Sequence, residues 1–206
     1  MHKLIMTSEA YQQGSMRNPE KEAADPANDL FMRRIPQRLE GESIRDAMLA
    51  VSGMLDDTMF GPGTRDEGSR RRSIYFNIKR SQLMGSMVAF DAPEPLASQG
   101  ARPVTTVAPQ ALMLMNSPQV RTWAEALARR VETECSGHAE VTARIGRAYA
   151  LCFDREPRDE EMKAASAFVR RQDQGYASDG RPDSAGLAFA DFCQVLFGLN
   201  EFVYQP

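Results

Sequence analysis

The stretch SPQVRTWAEALARRV, Ser117–Val131, decides the fold class. Ser117 suits an N-cap, Pro118 suits the first helical position, and Val120, Trp123, Ala124, Leu127 and Val131 recur on one face at helical spacing. This predicts an amphipathic helix whose apolar stripe must be buried against other elements. The same period continues downstream. Val141, Ile145, Ala148 and Cys152 mark a second helix, and Asp159–Arg171 a third, with acidic residues in its first turn and Arg170 and Arg171 in its last. Leu187–Leu199 is apolar on most faces and is expected to be a buried helix closing on Asn200, Glu201 and Phe202.

Upstream, Ile44, Ala47, Met48 and Val51 place an amphipathic helix over Arg38–Ser52, and Gly53 is suited to end it in the left-handed conformation. Lys3–Gln13 reads as a short helix, followed by a polar loop to Asn28. SIYFNIK, Ser73–Lys79, is rich in β-branched and aromatic residues and is the best strand candidate. Phe90–Asn116 carries Pro93, Pro95, Pro103 and Pro109, so a long irregular loop is expected before a short apolar helix at Gln110–Met115. The expected fold is mainly α: an irregular helical bundle with a small β element and a long proline-rich loop. It is taken as a single domain over residues 1–206, with an extension and loop at 1–36, a helix, strand and proline-rich part at 37–116, and a helical bundle at 117–206.

Composition agrees with a folded chain. Of 206 residues, 42% are apolar or aromatic, which suits a buried core and excludes a disordered tail. The formal net charge of −3 disfavours a general nucleic-acid binder. No apolar run approaches the ~18 residues of a membrane span. Cys135, Cys152 and Cys193 form no CxxC pair, which argues for buried free thiols and against a disulfide scaffold or covalent haem attachment.

Five ordered motifs carry a resemblance: RLEGESIRDAMLAVSG (Arg38–Gly53), RRSIYFNIKR (Arg71–Arg80), FDAP (Phe90–Pro93), TTVAPQALMLMNSP (Thr105–Pro118) and LNEFVY (Leu199–Tyr204). In order and spacing the chain resembles the planctomycete-type domain of unknown function catalogued as fifteen fifty-three. The resemblance implies the C-terminal part of a large exported protein with a cytochrome-c-like module upstream. Partners would then be upstream domains of the same or a companion polypeptide, with polysaccharide left open. The location would be extracytoplasmic, and any haem c would sit in an upstream domain, with no cofactor in this chain. Two departures stand out. Relatives often carry a Cys near Ser98 or Gln99, which is absent here. The HKLIM motif lies deep inside longer relatives but starts at His2 here, so an internal start and a cytoplasmic fragment remain open.

Candidate chemistry is sparse, and no catalytic residue is assigned. His2 and His138 stand in no ligand-spaced cluster with Cys or Asp, so no metal site is expected, and no GxSxG supports a serine nucleophile. Glu42 and Asp46 share a helix face as an acid–base pair sometimes does, but Arg38 and Arg45 are spaced to neutralise Glu42, which favours an ion-pair ladder. Asp56 and Asp57 read as turn residues. Arg70, Arg71, Arg72, Lys79 and Arg80, interleaved with Tyr75 and Phe76, form the strongest basic feature; Arg71, Arg72, Lys79 and Arg80 are the anion-binding candidates. Asp91, Arg102, Thr105, Thr106, Gln110 and Asn116 gather around the proline-rich loop. They would either bind a ligand such as a sugar or satisfy the loop's own backbone. Three function classes follow: an accessory or interaction domain, part of a composite enzyme acting on extracellular polysaccharide or in electron transfer, and an anion or nucleic-acid binding module.

Overall fold

A computed structural model describes residues 1–96, 98–135 and 140–205. Two compact units emerge. The first comprises Met1–Arg38 with residues 204 and 205, and the second Leu39–Val203.

The first unit holds two short helices, α1 (His2–Met6) and α2 (Pro19–Ala24), and the strand β1 (Gln37–Arg38). Asn18 caps α2 by accepting the Glu20 and Lys21 amides, with Pro19 at the first helical position. Strand β1 pairs antiparallel with β2 (Tyr204–Gln205), in the register Gln37 with Gln205 and Arg38 with Tyr204.

The second unit is helical: α3 (Gly41–Val51), a 3-10 turn at Ser73–Tyr75, α4 (Gly85–Ala89), α5 (Ala108–Asn116), α6 (Pro118–Glu134), α7 (Val141–Phe153), α8 (Asp159–Ser178), α9 (Ser184–Phe197) and α10 (Asn200–Val203). Helix α9 is the hub, packing most extensively on α8 and α6. Its residues Phe189, Phe192, Cys193, Leu196 and Phe197 are buried because its apolar residues run round most of the helix. Burying each large side chain is worth ~1.5–3 kcal/mol. Tyr149–Phe153, Phe189–Phe192 and Phe197–Phe202 contacts, at 5.3, 5.6 and 5.2 Å, add edge and tilted ring packing. The Ser117 hydroxyl caps α6 by accepting the Val120 amide, and Val120, Trp123, Ala124, Leu127 and Val131 are all buried.

Helix α3 ends as its sequence expects. Gly53 takes φ +74° and the Met54 amide bonds back to the Leu49 carbonyl. Arg130 of α6 then donates to the Ala50 and Val51 carbonyls, placing a cation at the helix C-terminus. At the other end Phe90 presses on Gly41 so closely that a Cβ there would lie 2.8 Å from the Phe90 Cβ, which requires glycine. That contact anchors the start of the proline-rich loop on α3.

The β element is not where the β-branched residues pointed. Ser73–Lys79 forms a 3-10 turn and then extended chain with isolated bridges, Thr64 to Phe76 and Lys79 to Gln82, while the two-stranded sheet is at residues 37–38 and 204–205. The Ser73 amide is held by Asp46 and the Arg71 carbonyl by Arg45, which fixes this backbone without a ladder. Boundaries shift elsewhere. Helix α1 stops at Met6 rather than Gln13, α2 forms inside the expected polar loop, α3 starts at Gly41 rather than Arg38, α8 runs past Arg171 to Ser178, α9 starts at Ser184 rather than Leu187, and Gly198–Leu199 separates α9 from α10. None of the helices is long and apolar enough to cross a membrane among the described residues.

Candidate functional site

Helix α3 organises the polar chemistry of the second unit by sending three charged side chains in different directions. Arg45 turns inward, its side chain only 4% exposed. Its guanidinium donates to the Arg71 carbonyl at 2.9 Å, to the Ser73 hydroxyl at 3.1 Å and to the Ser69 carbonyl, and lies 4.4 Å over the Phe76 ring. Burial pushes Arg45 below its ordinary pKa, opposed by the nearby Asp46 and Glu67 carboxylates. Asp46 accepts the Ser73 amide at 2.8 Å and the Ser73 hydroxyl at 2.7 Å, with Arg72 at 3.6 Å. The two α3 residues thus clamp residues 69–73.

Glu42 is paired by Arg102, a residue far from it in the chain. The Arg102 guanidinium donates to both Glu42 oxygens, at 3.2 and 2.8 Å, to the Asp91 carbonyl at 2.9 Å and to the Phe90 carbonyl at 3.3 Å. Burial alone would raise the Glu42 carboxyl, but the bonds from Arg102 hold it below the ordinary range. The Asp91 carboxylate accepts the Thr105 amide at 2.7 Å and the Thr105 hydroxyl at 2.9 Å. Gln110 closes the ring by donating to the Thr105 carbonyl at 3.2 Å and accepting the Val107 amide at 3.3 Å. Asp91, Arg102, Thr105 and Gln110 are therefore brought together, and these side chains are directed at protein groups. Asn116 is exposed at the end of α5, and Thr106 is exposed in the loop. Asp91 sits at φ +60°, a left-handed position that Asp tolerates better than most residues.

The basic cluster divides. Arg71 donates to the Pro62, Thr58 and Phe60 carbonyls and stacks 3.6 Å over the Tyr75 ring, so it serves the 58–62 loop. Arg72, Lys79 and Arg80 are exposed. Arg72 and Lys79 share a wall of the cleft described next.

That cleft, of about 600 Å3, runs along α3 and is flanked by residues 72–84, α4 and residues 92–95. Its apolar lining includes Ile74, Ile78, Leu83 and Val88, which are 75, 80, 42 and 49% exposed. Glu40, Glu42 and Asp46 line it with one sign of charge, and Arg72 and Lys79 with the other. Sequence periodicity does not reveal this cleft, because its walls come from irregular segments. The inward Arg45 had a signal, since it falls three residues before Met48 on the face that Gly41 and Ile44 bury.

The cleft carries charge and apolar surface, and no cysteine or histidine is among its lining residues. Burial pushes the Cys152 thiol up to about 12 and the Cys193 thiol well above its ordinary value, so neither is a thiolate near neutral pH. His2 is exposed in the first unit, and the expected turn around His138 lies outside the described residues. No three metal-ligating side chains cluster among the described residues. The arrangement is suited to binding an apolar segment.

Comparison with known proteins adds a family and no activity. A family model described as "Protein of unknown function (DUF1553)" matches residues 1–169, and the chain belongs to that family. No curated protein and no solved structure matches it.

Proposed function

We propose that this DUF1553 chain is an accessory interaction domain whose cleft along α3 seats an apolar segment of a companion polypeptide. The observation that carries the reading is the exposure of Ile74 and Ile78, at 75 and 80%, beside Leu83 and Val88 in one concave surface. A contiguous apolar surface rimmed by charge marks an interaction site. Glu40 and Lys79, carrying opposite charges in its lining, would set the direction of the seated segment.

Following the family resemblance, the companion is an upstream domain of the same or another polypeptide, within an exported, planctomycete-type protein associated with a c-type cytochrome. The haem would then belong to that partner and the setting would be extracytoplasmic. Polysaccharide is less well supported, because Phe76 is the one aromatic ring in the cleft lining. An anion or nucleic-acid module is less well supported because Arg71 is committed to loop carbonyls.

The test is titration of the chain with the adjoining upstream segment of a longer relative, expressed separately. Saturable binding is expected, weakened by about tenfold or more, ~1.4 kcal/mol, when Ile78→Asp and Val88→Asp are combined. Unchanged affinity of the double variant, with circular dichroism intact, overturns the cleft as the seat. Absence of saturable binding overturns the interaction reading.

A further inference from the structure

A second, smaller cavity lies within the second unit, among α3, α4 and α6. It measures about 50 Å3 and includes Arg45, Glu67, Ser86, Gln119 and Trp123 in its lining. Arg45 Nε, Trp123 Nε1 and Ser86 Oγ are shut off from solvent and bond to no protein group among the described residues. Both larger side chains are deeply enclosed: the Arg45 side chain is 4% exposed and Trp123 is 4% exposed. The Arg45 guanidinium carbon lies 5.8 Å from the Trp123 ring centroid. A guanidinium Nε–H and an indole N–H can only donate, so one partner serving both would accept twice. Two buried donors with no protein partner among the described residues, on side chains that line one small cavity, are costly unless something meets them.

Charge narrows the choice. The Arg45 cation is opposed by the Asp46 and Glu67 carboxylates. Glu67 lines the cavity while accepting the Gly85 amide at 3.0 Å and the Ser86 amide at 3.4 Å. With a carboxylate in its wall, the cavity offers little net positive charge to an anion. A water molecule matches the groups present: it accepts from Arg45 and Trp123 and donates to Glu67, Gln119 or the Ser86 oxygen. The volume exceeds the ~10–15 Å3 that one water requires.

We infer that this cavity is a binding site for a neutral, compact hydrogen-bond acceptor, a long-lived water molecule, which joins Arg45 of α3, Ser86 of α4 and Trp123 of α6. Trp123 is the single tryptophan of the chain, so its indole N–H gives one unambiguous nuclear magnetic resonance signal. In the full chain, that proton is expected to show cross-relaxation with a water of long residence, unaltered by titration with chloride or bromide. Ser86→Val, which fills the cavity with a methyl group in place of the hydroxyl, is expected to abolish the cross-relaxation while circular dichroism is preserved. A saturable shift of the indole signal with halide overturns the neutral acceptor in favour of an anion. An indole proton with no bound-water contact in the unaltered chain overturns the site, as does persistence of that contact in folded Ser86→Val.

Discussion

At the scale of single residues, two arginines bear most of the polar organisation, and each makes a separate prediction. Arg102 fastens the proline-rich loop to α3 through Glu42 and the Phe90 and Asp91 carbonyls. Replacing it by Ala strands those acceptors, and a loss of ~1–3 kcal/mol is expected in a urea unfolding curve followed by Trp123 fluorescence. An unchanged midpoint would show that the network does not hold the loop. Arg45 is more enclosed, and it serves the Ser69 and Arg71 carbonyls and Ser73 together. Arg45→Met should cost more, about 3 kcal/mol, because Asp46 is left without its inward neighbour and two half-buried carbonyls without a donor. A penalty below that of Arg102→Ala would contradict this ranking. The residue types around the loop were legible in the sequence, but their pairing was not. Arg102 lies 60 residues from Glu42 in the chain, and only folding brings them together.

At the scale of elements, helical periodicity located α3, α6, α7 and α9 because each buries a stripe of apolar side chains. Helix α8 outran its expected end because Tyr176 donates to Asp191 of α9, a tertiary bond that carries the helix through Gly175. The segment after Ser73 shows the opposite failure. Among the described residues this segment pairs only through isolated bridges, and Ile74 and Ile78 are exposed instead. Helix α8 also begins at a charge cluster. Arg155 pairs with both oxygens of Glu161, at 2.8 Å each, and of Glu201, at 2.7 Å each. The Arg155 bonds hold the Glu161 carboxyl down at about 2 against an ordinary value of 4.5. A depressed carboxylate adds stability that is complete above the ordinary value and is lost as pH falls toward the folded one. Stability should therefore decline between about pH 4.5 and 2. Solvent screening keeps the Glu161 share to ~1 kcal/mol or less. Glu161→Gln is expected to show this deficit at pH 5 and to converge with the unaltered chain near pH 2, as urea midpoints at the two pH values would reveal. A deficit that persisted undiminished at low pH would count against the ion pair as its source.

For the whole molecule, Leu39–Val203 contains α3 to α10 and the aromatic contacts of the core among the described residues. A chain trimmed to these residues should unfold cooperatively, with coincident Trp123 fluorescence and far-ultraviolet circular dichroism transitions. A broad or missing Trp123 transition would mean that this unit needs the remainder of the chain to close its core. The sequence by itself determined that the protein is mainly helical, where α6, α7 and α8 start, and that Ser117 and Gly53 punctuate two of its helices. Those properties depend on local spacing and backbone preference, which residues within a few turns decide. Only the tertiary structure decided that Glu42 meets Arg102, that Arg45 is buried under residues 69–73, and that irregular segments enclose an apolar cleft along α3. These depend on contacts between residues far apart in the chain, and a helical period carries no record of which distant group will satisfy a buried charge.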